Sequence, residues 1–200
     1  MNKPAELYNG VEICVAKTPG EWRKWLQKNS EEKDSVWLII YKKQSGIKSV
    51  YYPEAVDEAL CFGWIDSKAN RRDADSYYQY FSKRNAKSKW SNLNKTKVKM
   101  LIKEKRMQPQ GMKMIEIAKE TGTWTALDKV EKIYLPKELA DQFKKDRIAF
   151  EYWKKFPPSA KKAILQWIDN ARKPETRMNR ILETITKAHD NIRANQYIRK

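Results

Sequence analysis

The chain has 200 residues, 40% of them apolar, with eight Trp, ten Tyr and five Phe; that is enough to bury a sizeable core and excludes the composition of a disordered chain. Its 42 Lys and Arg against 25 Asp and Glu give a net charge of +17, a balance that attracts anions and nucleic acid and that also serves plain solubility. No apolar run reaches the ~20 residues of a membrane helix, Cys14 and Cys61 have neither disulfide nor metal spacing, and Met1-Asn2-Lys3-Pro4-Ala5-Glu6 is not followed by the apolar core of a secretion signal, so no membrane insertion, reduced core cysteines and a cytoplasmic setting are expected.

Val11, Ile13 and Val15 alternate with Glu12 and Cys14 and predict a first strand. Thr18-Pro19-Gly20-Glu21 reads as a helix start, with Thr18 as N-cap, Pro19 at the first position and Glu21 closing a capping box. Trp22, Trp25 and Leu26 then share one face. Val36 to Tyr41 is β-branched and aromatic and predicts a buried strand; Ser45-Gly46 turns the chain, and Ile47 to Tyr51 reads as a short returning strand. Pro53 opens a helix carrying Val56, Ala59 and Leu60, and Gly63 stops it. Trp64 to Ala69 and Tyr77 to Ser82 form a predicted hairpin around the polar segment 70–76. A long helix follows with Trp90, Leu93, Lys97, Val98, Leu101 and Ile102 along one side, N-capped by Ser88.

From Gly111 onward the pattern is helical. Met112, Ile115 and Ala118 share a face up to Gly122, and Pro136 starts a helix with Leu139 and Phe143. Ala149, Phe150 and Trp153 sit on another helix that Pro157-Pro158 breaks. Ser159 reads as the cap of a helix with Ala160, Ala163, Ile164, Trp167, Ile168 and Ala171 inward, and Pro174 opens a last one with Met178, Ile181, Leu182 and Ile185 inside. Strands in the first half and helices in the second make an α+β fold: a small antiparallel sheet with helices over 1–108, and a helical subdomain over 109–200 packed on it.

Chemistry-bearing patterns are few. There is no phosphate-cradling glycine loop and no nucleophile elbow, and the single histidine, His189, reads as a surface residue near a helix C-terminus. Asp73 and Asp75 lie in a turn beside Arg71 and Arg72, where turn hydrogen bonding accounts for them. No cofactor and no metal is expected. The informative stretch is Leu60 to Asn94. Trp64 and Asp66 share a strand face, and a carboxylate beside an indole is costly to bury unpaired. Arg84 is its expected partner, and Ser88, Trp90, Ser91 and Asn94 lie within reach of the same cluster. Three readings stay open: a pocket for a small or anionic ligand, an internal ion pair that fixes the hairpin on the helix, and a nucleic-acid surface.

The basic stretch from Arg71 to Lys113 holds 13 Lys and Arg against three Asp and Glu. A solvated face is one reading; a phosphate-tracking patch using Arg71, Arg72, Tyr78, Lys87, Lys95 and Lys99 is the other. A third function class is a small-molecule enzyme with Asp66 as acid or base.

At Leu60-Cys61-Phe62-Gly63-Trp64-Ile65-Asp66 and Phe81 to Asn94 the chain resembles the YdeI/OmpD-associated, or bacteriocin-protection, family. Arg106-Met107 with Gly111, Gly122-x-Trp124, Phe156-Pro157-Pro158-Ser159, and Lys173 to Arg177 leading to Arg180-Ile181 extend the likeness from about Trp22 to Ile185. The family usually has Pro where this chain has Lys83. The resemblance implies a bacterial protein of envelope stress and of defence against antimicrobial peptides or bacteriocins, associated with an outer-membrane porin. It brings no catalytic residues, and its envelope setting stands against the cytoplasmic one expected above.

Overall fold

The computed structural model describes residues 6–195; the N-terminal residues Met1 to Ala5, read above for a secretion signal, lie outside them. Two compact units divide the chain, the first ending at Thr125 and the second beginning at Ala126. The fold is α+β, with a five-stranded sheet and four helices in the first unit and helices alone in the second.

The first unit runs β1 (Leu7–Tyr8), β2 (Val11–Val15), α1 (Pro19–Asn29), β3 (Ser35–Tyr41), α2 (Tyr52–Cys61), β4 (Trp64–Arg71), β5 (Ser76–Lys83), α3 (Asn92–Lys103) and α4 (Pro109–Glu120). The sheet order is β1-β2-β3-β5-β4. The sheet is mixed, not antiparallel throughout: β2 and β3 run parallel because α1 carries the chain back between them. Both edges of β3 are taken, by β2 and by β5. Ile47 to Tyr51 therefore cannot pair with β3. It is irregular, held by Val50 N–H donating to Ala16 O and by Tyr41 N–H donating to Ser49 Oγ.

Helix starts follow local chemistry. Thr18 Oγ1 accepts from Glu21 N–H at 3.2 Å, and the Glu21 carboxylate accepts from Lys17 N–H, one residue before the cap. Ser91, not Ser88, caps α3, accepting from Asn94 N–H. Trp90 thus precedes the helix, and the helix buries Lys95, Val98 and Leu101 while Leu93 and Ile102 face solvent.

The sheet has two unlike faces. Cys14, Val36, Leu38, Ile40 and Phe81 point to the helices and form the core with Trp22, Leu26, Ala59 and Leu60. Trp22 stays satisfied there by donating its indole N–H to Ala55 O at 3.0 Å. The opposite face carries Tyr8, Trp37, Ile39, Tyr78 and Tyr80, alternating with the core residues as the strand period requires.

Two glycines set how the helices meet the sheet. Gly63 has φ +73°, and a Cβ there would lie 2.9 Å from Met114 Cγ. A Cβ on Gly111 would fall inside the Cys61 carbonyl and 2.8 Å from Leu60 O. The start of α4 rests directly on the last turn of α2, and Gln108 N–H donates to Cys61 O at 3.0 Å. For this reason α4 belongs to the first unit and not to the helical second one.

Beside that contact lies a buried carboxylate. Glu58, 5% exposed, takes Arg23 Nη1 on Oε2 at 2.7 Å and Arg106 Nη2 on Oε1 at 2.8 Å. Arg23 Nη2 also donates to Arg106 O; against the opposing effect of burial, Glu58 holds the Arg23 guanidinium above its ordinary ionisation range, and Glu104 together with Glu58 does the same for Arg106. The triad ties α1, α2 and the α3–α4 link, and its charges satisfy one another.

The second unit contains α5 (Asp128–Glu131), α6 (Lys137–Lys145), α7 (Arg147–Lys155), α8 (Pro158–Asp169) and α9 (Pro174–His189). Its core is built from Leu139, Phe143, Trp153, Ile164, Leu165 and Ile181 among others. Pro157, not Ser159, occupies the N-cap of α8, so the buried stripe includes Leu165 and leaves Ala163 exposed. On α9, Met178 and Leu182 are exposed, and Thr184 and Ala188 replace them inside. His189 ends α9 and places Nδ1 2.8 Å from Asp146 Oδ2. Asp146 caps α7 through Ala149 N–H, and that bond and His189 hold its carboxyl below the usual range.

Three outcomes follow from this architecture. Gly111→Ala should destabilise the first unit by about 3 kcal/mol in urea unfolding, because backbone cannot move aside as a side chain can. Glu58→Gln should cost about 2–3 kcal/mol, since two arginines lose their counter-charge; an unchanged midpoint would show that the triad carries no stability. Burial pushes the Cys14 thiol up to about 12 and raises that of Cys61. A disulfide reagent at pH 8 should therefore find no reactive thiol in the native chain and two after denaturation.

Candidate functional site

The turn at Gly63 launches β4, and β5 returns beside it to Arg84. Arg84 N–H donates to Gly63 O at 2.9 Å, so the guanidinium is placed by the same turn. Its side chain is only 6% exposed. The Cζ lies 3.8 Å from the centroid of the Trp90 ring, and Nη2 donates to Lys89 O at 2.9 Å. Nε and Nη1 are buried with no hydrogen-bond partner.

Trp90 is in turn fixed from behind. Its N–H donates to Thr123 O at 3.2 Å, and its ring lies 5.1 Å from that of Trp124, whose N–H donates to Ala118 O at the end of α4. On α3, Lys95 Nζ lies 5.7 Å from the Trp124 ring. The result is a pair of indoles held between two cations, in the order Arg84, Trp90, Trp124, Lys95.

Burial pulls the Arg84 guanidinium down, to about 10, with the charge of Asp66 opposing that shift. It remains charged at neutral pH. A desolvated cation–π contact stabilises by about 2 kcal/mol, whereas each buried donor without an acceptor costs about 1–3 kcal/mol. Arg84 has three N–H bonds on Nε and Nη1, so the contact with Trp90 alone does not offset its burial. Two further atoms around the same turn lack partners: Ser30 Oγ, whose backbone carbonyl accepts the Trp64 indole, and Gln110 Oε1, whose backbone carbonyl abuts Gly63.

The residues expected to form one cluster separate into groups. Arg84 and Trp90 meet face to face. Asp66 does not pair with Arg84; it accepts from Tyr52 Oη at 2.7 Å, and burial followed by that bond pushes the Tyr52 hydroxyl up to about 12. A bulge in β4 between Asp66 and Ala69 interrupts the strand there. Trp64 is core, donating to Ser30 O at 3.3 Å and packing edge-on to Trp25. Ser88 lies in the turn after β5, where its N–H donates to Asn85 O. Ser91 and Asn94 are bound to each other as the α3 cap. Asp73 Oδ1 accepts from Asp75 N–H, Ser76 N–H and Ser76 Oγ, and so organises the hairpin turn.

The basic residues do not form one strip either. Arg71 and Arg72 are exposed at the hairpin end, Tyr78 is half-buried on the outer sheet face, Lys87 and Lys99 are exposed elsewhere, and Lys95 is buried on α3. The sequence reading did not include Thr123 and Trp124, the residues that hold Trp90. Their one signal was the Gly122-x-Trp124 pattern, which says nothing about what the indole packs against.

Comparison with known proteins divides the chain in a similar way. The model of a family described as Domain of unknown function (DUF8412) matches residues 14–114, just over half of the chain. The model described as Bacteriocin-protection, YdeI or OmpD-Associated matches residues 132–191. No curated protein and no solved structure matches. Among the described residues no helix is long and apolar enough to cross a membrane. The Phe156 to Ser159 and Lys173 to Ile181 motifs fall in the second match, and the Leu60 to Asp66 and Phe81 to Asn94 motifs in the first. The chain therefore belongs to the DUF8412 family through its sheet and the Arg84–Trp90 site, and its segment 132–191 carries a domain of the YdeI/OmpD-associated family.

Proposed function

We propose that the first unit binds a small carboxylate- or phosphate-type anion at Arg84, with Trp90 as the floor of the site. The observation that supports this is the buried guanidinium whose Nε and Nη1 have no acceptor. A planar, always-charged fork is suited to an oxyanion, and a bound oxyanion would convert costly orphan donors into charge-assisted hydrogen bonds. Stacking on Trp90 holds the fork at one angle and limits the entropy lost on binding. Binding is favoured over catalysis because Asp66, the available acid–base group, is engaged by Tyr52. The description of the family matched by 132–191 names bacteriocin protection, and on this reading the chain is a stress-protection protein whose first unit responds to an anionic ligand.

Thermal shift with phosphate, sulfate and acetate, each against chloride at equal ionic strength, tests the reading on wild type and Arg84→Met. Wild type should gain about 2.7 kcal/mol when a ligand reaches 100 times its Kd. Arg84→Met should fold, since Met fills the space without orphan donors, and should not respond. Equal responses in both proteins, or none in wild type, would overturn the site.

A further inference from the structure

The sheet face turned away from the helices has no part in the Arg84 site, and it is built unlike a solvated face. Trp37 and Ile39 are buried there, yet neither belongs to the core formed with the helices. They are covered by their own neighbours. Tyr8 and Tyr78 stack with centroids 4.1 Å apart and planes at 12°. Tyr8 and Tyr80 meet the Trp37 ring edge-on at 5.2 and 4.8 Å. Lys68 Nζ sits over both Trp37 and Tyr80, at 5.4 and 5.2 Å. Asn70 donates to the Tyr8 hydroxyl. The outer tyrosines remain only half-buried, so each keeps ring surface toward solvent.

The charge of this face is one-sided. The residues that β2, β3 and β5 turn outward are apolar, aromatic or hydroxyl-bearing; the exposed cations Lys68, on β4, and Arg72, just beyond it, share this face, whereas Arg71, opposite Tyr77, turns to the helix side. Asp73 is already engaged by the turn and by Arg72. Aromatic rings spaced across strands with cations beside them meet the two needs of a single strand of nucleic acid, stacking for the bases and counter-charge for the phosphates. A net charge of +17 supplies long-range attraction to the same partner.

We infer that this outer sheet face binds single-stranded nucleic acid, with bases stacking on Tyr78 and Tyr80 and backbone phosphates running past Lys68 and Arg72. The inference is independent of the anion site, because Arg84 lies at the other end of β5.

Fluorescence anisotropy with labelled thymidine and uridine strands of about 12 nucleotides tests it on the full chain. Affinity should fall steeply with salt. Tyr78→Leu and Tyr80→Leu, which keep apolar cover over Trp37, should each weaken binding about tenfold. Lys68→Glu should weaken it further, while Lys99→Ala with Lys103→Ala on α3 should bind nearly as wild type does. Absence of binding at low salt overturns the inference. So does an equal loss from the α3 and sheet variants, which would mean diffuse attraction to a basic protein. A dimer in solution that Tyr78→Leu dissociates, with oligonucleotide binding unchanged, would assign the face to a second copy of the chain instead.

Discussion

The bare backbone at Gly111 is the constraint on which the first unit depends. Because no side chain stands there, α4 can start against the carbonyls that end α2. That contact presses on Gly63, which must then turn left-handed to release β4. Arg84 takes its backbone position from the Gly63 carbonyl, and the far end of α4 delivers Thr123 and Trp124 to hold Trp90. Arg84 is thus pinned from both sides through one helix, with Gly63 at its start and Trp90 at its end. A site whose geometry is over-determined in this way can hold a buried charge in an uncomfortable place.

Glu58 and Arg84, both buried in the first unit, have surroundings of opposite character. Around Glu58 every strong group has its counterpart: one carboxylate, two guanidiniums, and a backbone carbonyl for the spare nitrogen. Such a triad specifies how three segments meet and asks nothing of solvent. Around Arg84 the guanidinium has an indole, one carbonyl and two idle nitrogens. The two arginine environments differ in satisfaction as well as in burial, the satisfied pair being the more exposed, and the unsatisfied one is where a ligand can change the energy most.

Much of the fold was legible because short-range chemistry specifies it. Thr18-Pro19-Gly20-Glu21 starts α1, Gly63 ends α2, and β4 and β5 pair as a hairpin around the polar segment that follows Ala69. Choices between near neighbours were not legible. Ser88 and Ser91 have equal capping chemistry, and only the distant Thr123 contact, which fixes Trp90, decides for Ser91. Ile47 to Tyr51 has the composition of a strand but finds both sides of the preceding strand, β3, already occupied. The parallel pairing of β2 with β3 leaves no mark on either strand's pattern, which is the same for both pairings over five to seven residues. At the site, Arg84 and Trp90 were legible as neighbours in sequence. The expected partnership of Asp66 with Arg84 was not met because the bulge in β4 and the Tyr52 hydroxyl intervene, and neither is written in local sequence.

The contact between Trp90 and Trp124 carries a consequence for how such chains can be assembled. The family model for the first unit ends at residue 114 and the next match starts at 132, so Thr123 and Trp124 lie in the span between them. A natural or engineered recombination that cut the gene where the first match ends would split α4 and discard the wall behind Trp90. The compact module is longer than the recognisable one, and its border lies beyond Trp124, where the first compact unit closes at Thr125.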